Sequence, residues 1–105
     1  ALIDQGARVA LATDYNPGTC PTQDLSLVGM LARVEMKMSL PEVIAGYTLN
    51  GAYALGLEAE MGSLEVGKQA NFIVLQNGID ELFYQVGRSP VRETWFCSKK
   101  VFAFI

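Results

Sequence analysis

The chain has 105 residues, half of them apolar and 18% charged, with a net charge of −3 and a mean hydropathy of +0.24. That composition argues against disorder and against an electrostatic nucleic-acid binder, which requires a basic stripe. The apolar runs are far shorter than the roughly 20 residues of a membrane span, and no basic segment with a short apolar core opens the chain. Histidine is absent, so neither a histidine-based triad nor a histidine-rich metal site can come from these residues alone. Cys20 and Cys97 are too few for a disulfide scaffold; a single bridge between them stays open, but two reduced thiols of a cytoplasmic protein are the favoured reading.

In chain order, residues 1–7 read as the end of a short helix stopped by Gly6. Arg8 to Thr13 is a nearly continuous apolar run, the pattern of a strand covered on both faces in a parallel sheet. It leads into a loop, Asp14-Tyr15-Asn16-Pro17-Gly18-Thr19, where Pro17-Gly18 suits the centre of a type II turn. A helix is predicted over 24–38, with Leu27, Leu31, Val34 and Met38 as its buried stripe. A second is predicted over 39–55, opened by the capping box Ser39-Leu40-Pro41-Glu42 and closed by Gly56. Ile44, Thr48, Gly51 and Leu55 line one side of it.

After Glu58 the pattern changes. Gly62 to Lys68 reads as two tight bends around a short extended piece, and Asn71 to Leu75 as an apolar strand. Gln76-Asn77-Gly78 is a turn, and 80–86 suits a short helix. Val91 to Cys97 and 101–105 read as a hairpin joined by Ser98-Lys99-Lys100. The chain thus divides near residue 57 into an α/β part and a mostly β part. One parallel-type strand with two helices cannot make a sheet unaided, because βαβ units need neighbouring strands.

The loop after the first strand is the chemically suggestive place. An Asp at the carboxyl end of a buried parallel strand is where α/β barrels put catalytic and metal-binding groups, and a carboxylate there can ligate a metal or take a proton from water. The alternative is that Asp14 caps the turn with its own side chain. Glu42 is accounted for by the capping box, Glu58 and Glu60 by a solvated bend, and Met30, Met36 and Met38 by packing. Phe83, Tyr84 and Trp95 read as the core of the β part. Cys20 lacks a histidine to activate it, and Lys68 lacks the glycine spacing of a phosphate loop.

The run Val9-Ala10-Leu11-Ala12-Thr13-Asp14-Tyr15-Asn16-Pro17-Gly18-Thr19-Cys20-Pro21-Thr22, preceded by Ala1-Leu2-Ile3-Asp4, resembles the last barrel strand and loop of imidazolonepropionases. The resemblance continues through Met36-Lys37-Met38-Ser39, through residues 48–56 and through Gly62-Ser63-Leu64-Glu65-Val66-Gly67-Lys68-Gln69-Ala70. The last of these is shared across the amidohydrolase superfamily; the loop at 14–22 is particular to imidazolonepropionases.

The resemblance implies the C-terminal end of a (β/α)8 metal-dependent hydrolase barrel, residues 1–57, followed by part of a small β-sandwich, residues 58–105. It implies hydrolysis of 4-imidazolone-5-propanoate to N-formimidoyl-L-glutamate in histidine degradation, with one zinc or iron ion. By match to the loop, Asp14 is the metal ligand and proton acceptor, and Asn16, Gly18 and Thr19 contact the small-molecule substrate. The family's histidine ligands fall outside this chain, so the chain alone is expected to be inactive. Its expected partners are the remainder of the barrel or a second copy, not nucleic acid or membrane. Tyr15 stands where the family usually has Phe, and Asn71 where the superfamily usually has Asp. Two other readings stay open: a non-catalytic assembly module derived from such an enzyme, and an amidohydrolase acting on another cyclic amide.

Overall fold

The structure, a computed structural model, describes residues 2–84 and 88–103. A 3-10 turn, Ile3–Gln5, opens it and ends at Gly6, whose φ of 87° is the left-handed stop expected of a glycine there. Three helices follow, α1 (Leu25–Val34), α2 (Leu40–Tyr47) and α3 (Leu49–Leu55). A three-stranded antiparallel sheet completes the described chain, in the order β1 (Phe72–Leu75), β2 (Val91–Phe96), β3 (Lys99–Ala103). No helix is long and apolar enough to cross a membrane, among the described residues.

The local signals act as their chemistry dictates. Asp24 caps α1 by accepting from the Ser26 amide at 2.9 Å. Ser39 and Glu42 close the full capping box of α2, and Gly56 ends α3 at φ 72°. The single helix expected over 39–55 is instead two. Thr48 interrupts it with φ −115°, ψ −91°, and its hydroxyl donates back to the Ile44 carbonyl at 2.7 Å.

The predicted stripe of α1 is also corrected. Leu31 and Val34 are 45% and 66% exposed, while Gly29 and Ala32 are the helix's buried residues. Phe83 explains the change: it lies over Gly29 and tilts against Tyr47, with ring centroids 5.6 Å apart. It therefore packs with the helices, around Ala32, Met38 and Val43, and not in the core of the β part. Tyr84 is exposed beneath the Arg33 guanidinium. Met38 reaches the core after a left-handed turn at Lys37.

Residues 8–13 are extended but form no strand, because nothing in the described chain lies beside them to complete a ladder. Their contacts run to the helices: the Leu11 amide donates to the Gly46 carbonyl at 3.1 Å, and Asn50 Nδ2 donates to the Val9 carbonyl at 3.2 Å.

In the β part, Phe72 faces Trp95 across the ladder and their rings stack at 5.6 Å. The hairpin turn is Cys97-Ser98, with φ of 50° and 66°, so β3 already begins at Lys99. Two successive positive φ values match the right-handed twist of the strands. Asn71 Oδ1 accepts from the Cys97 amide at 2.9 Å and braces this turn, as an Asp oxygen would. Among the described residues of the predicted helix over 80–86 there is only the 3-10 turn Ile79–Glu81; residues 85–86 and 104–105 of the predicted elements lie outside the described residues. The stretch 62–68 does form two bends, tied together by Lys68, whose ammonium donates to Ser63 Oγ at 2.8 Å and pairs with Glu65 at 3.0 Å. Glu60 is exposed, but Glu58 is partly buried and its Oε2 has no hydrogen-bond partner among the described residues, which corrects its reading as a solvated side chain.

Candidate functional site

Asp14, Asn16, Gly18 and Thr19 share one loop that the extended segment 8–13 carries off the surface of α2 and α3. The anchor is a close approach. A β-carbon built on Gly46 would stand 3.0 Å from Leu11 Cγ and 3.3 Å from the Val9 carbonyl oxygen, so glycine lets the segment lie against the helix backbone.

Beyond Thr13 the chain closes on itself. Asn16 bridges to Cys20 in antiparallel fashion, its amide donating to the Cys20 carbonyl at 2.9 Å. Asn16 Oδ1 then accepts from the Gly18 amide at 2.9 Å, the Thr19 amide at 2.7 Å and the Thr19 hydroxyl at 3.2 Å. Asn16 Nδ2 donates to the Asp14 carbonyl at 2.7 Å. The turn-capping side chain is therefore Asn16, not Asp14. The type II turn at Pro17-Gly18 is not formed either. Gly18 is not among the positive-φ residues, and the left-handed residue of the loop is Asp14, at φ 53°.

That conformation is uncommon for a residue with a β-carbon, although Asp tolerates it better than most. It leaves the Asp14 side chain exposed, its carboxylate accepting no hydrogen bond among the described residues. The Gly18 and Thr19 amides, by contrast, are already engaged by Asn16, so what they offer a ligand is the rim that Asn16 shapes. Two neighbours that sequence reasoning placed in a strand or set aside also belong to the loop. Thr13 Oγ1 accepts from the Tyr15 amide at 3.3 Å, and Cys20 Sγ donates to the Thr13 carbonyl at 3.0 Å. Cys20 and Cys97 are both free. A concavity of about 480 Å³ lies elsewhere, between Ser26 and the turn at Gln76–Gly78, and no loop residue lines it.

The residue set does not hold a metal by itself. No group of three His, Cys, Asp or Glu side chains converges among the described residues. Asp14 offers one unengaged carboxylate, whereas a catalytic zinc takes about three protein ligands.

Residues 1–101 match the amidohydrolase family model. The chain belongs to the amidohydrolase family. It is 60% identical, over 97% of its length, to an imidazolonepropionase of Bdellovibrio bacteriovorus, and 42% identical over 95% of its length to one of Treponema denticola. It spans about a quarter of each of these relatives, 24% in both cases. Among solved structures, it aligns over 98% of its length with 25% of an amidohydrolase from Thermotoga maritima, at 25% identity and a TM-score of 0.77. It also aligns over 97% of its length with 27% of an adenosine deaminase from Xanthomonas campestris with bound zinc, at 24% identity and a TM-score of 0.80; that likeness speaks for the fold alone. The matches agree with the amidohydrolase resemblance read from the sequence.

Proposed function

We propose that the complete protein containing this chain hydrolyses 4-imidazolone-5-propanoate to N-formimidoyl-L-glutamate, a step of histidine degradation in the cytoplasm. The observation that carries this reading is the 60% identity to an imidazolonepropionase over nearly the whole chain. The loop Asp14 to Thr22 adds to it, because the resemblance there is particular to that enzyme. In this reading Asp14 accepts the proton of the attacking water as the ring C–N bond is broken. Its carboxylate accepts no hydrogen bond among the described residues, so both oxygens are available to a water or an ion. Asn16, Gly18 and Thr19 form the rim that meets the substrate, with Asn16 setting the rim's shape.

One zinc or iron ion would supply polarisation of the reacting group when bound, and this chain would contribute Asp14 as a single ligand, the rest lying outside it. Residues 1–57 end a (β/α)8 barrel and 58–105 belong to a flanking β-sandwich. The extended segment 8–13, which has no ladder partner here, is then the last barrel strand, and the remainder of the barrel is its partner.

The test is hydrolysis assays on the full-length protein with this substrate and a panel of other cyclic amides. The expected result is turnover of 4-imidazolone-5-propanoate, with Asp14→Asn slowing it by about a hundred-fold or more, and no turnover by the 105-residue chain alone. Preference for another cyclic amide replaces the substrate; activity of the isolated chain removes the shared-barrel reading.

A further inference from the structure

We propose that Thr13 and Cys20 are positioning residues for Asp14, holding it in the left-handed conformation from which its carboxylate reaches the reacting water. The proposal rests on the role given to Asp14 above and adds two residues to that site.

A peptide unit is rigid and planar, so the backbone at Asp14 is set by the orientation of the unit before it and the unit after it. The unit before contains the Thr13 carbonyl, which accepts from Cys20 Sγ at 3.0 Å. The unit after contains the Asp14 carbonyl and the Tyr15 amide. The first accepts from Asn16 Nδ2 at 2.7 Å, and the second donates to Thr13 Oγ1 at 3.3 Å. Both planes are therefore held, and with them the direction of the Asp14 β-carbon.

The loop closes the device, because Asn16 and Cys20 are themselves joined by a backbone bond of 2.9 Å. A φ of 53° is disfavoured without such restraint, and residues so held gather where a side chain must be aimed. None of these bonds uses the carboxylate, so it stays available for chemistry.

The experiment uses the full-length protein. Thr13→Val removes the acceptor for the Tyr15 amide, and Cys20→Ala removes the donor to the Thr13 carbonyl. Each is expected to lower kcat about ten- to a hundred-fold while KM stays within about two-fold, since misplacing a reacting group costs rate more than ground-state binding. Thr13→Ser and Cys20→Ser keep the bonds and are expected to stay within about three-fold of the parent. In an Asp14→Asn background the first two substitutions should lower the residual rate by less than about two-fold, because they act through Asp14.

A second readout is independent of substrate. Amide exchange at Tyr15 and Asn16 should accelerate in Thr13→Val and Cys20→Ala and return to parental rates in the serine variants. Unchanged exchange together with parental kcat overturns the proposal, as does an equal loss of rate with and without Asp14. Accelerated exchange in a protein that leaves 4-imidazolone-5-propanoate intact supports the backbone clamp and removes the substrate proposed above.

Discussion

The Leu11 amide donates to the Gly46 carbonyl at 3.1 Å, with Leu11 Cγ 3.0 Å from where a β-carbon on Gly46 would stand. This pair sets how close the segment bearing the loop lies to α2. Replacing Gly46 by Ala adds a contact that Leu11 can partly yield to, and the helix gains about 1 kcal/mol of propensity, so little net change is expected. Gly46→Val forces branched methyls into the Val9 carbonyl and should cost about 1–3 kcal/mol. Urea unfolding of the two variants checks the contrast.

A tighter constraint sits at Gly29. A β-carbon there would run into Phe83 Cδ1, well inside contact distance. Gly29→Ala is therefore expected to destabilise by about 1–3 kcal/mol, despite the gain in helix propensity. Adding Phe83→Leu to Gly29→Ala should recover part of that loss. A double-mutant cycle read by urea midpoints measures the coupling, and additive losses would mean that the two residues do not meet.

Asn16 is the hub of the loop, accepting at Oδ1 from Gly18 and Thr19 and donating from Nδ2 to Asp14. Asn16→Ala should lower the full-length protein's activity about a hundred-fold, because the loop loses its internal brace. The loop is exposed, so the melting temperature should move little. Asn16→Asp keeps the acceptor but loses the donor and sets a carboxylate beside the Asp14 carbonyl, so it should not restore activity. Paired rate and melting measurements decide the matter.

Burial, aided by the charge of Asp24, raises the Tyr47 phenol to about 12, and its hydroxyl donates to the Leu25 carbonyl at 2.6 Å. The folded pKa lies above the unfolded value of about 10. The contribution to stability is thus complete below about pH 10 and is lost as pH rises toward about 12. Tyr47→Phe should lower stability at neutral pH by about 1 kcal/mol through the missing hydrogen bond. It should also flatten the decline above pH 10, as unfolding curves across the alkaline range will show.

Much of the candidate site was legible because its residues are neighbours in sequence. Asp14, Asn16, Gly18 and Thr19 span six positions, and a turn-forming cluster of this kind must bring them together whatever the rest of the chain does. Which of them bends was not legible. Asn16 and Asp14 are both competent to cap the turn; in the fold Asn16, bridged to Cys20, takes that role, and Asp14 sits in the left-handed region with its flanking peptide planes tied by Thr13, Asn16 and Cys20. Thr13 escaped notice because its hydroxyl has meaning only once Tyr15 turns back over it.

The sequence by itself determined the features that depend on a few adjacent residues. These include the capping box Ser39–Glu42, the glycine stops at Gly6 and Gly56, the apolar strand at Phe72–Leu75 and the chain's place among amidohydrolases. Each follows from a local hydrogen bond, a permitted φ or a contiguous motif. Tertiary structure decided what depends on distant partners. Phe83, far along the chain, covers Gly29 and so exchanges the expected apolar stripe of α1 for a face of small residues. The run 8–13 has the apolar pattern of a strand, yet it meets helices where a ladder would need strands. Hydrophobic pattern sets what a segment tends to bury, whereas strand formation requires a neighbour's amides and carbonyls in register.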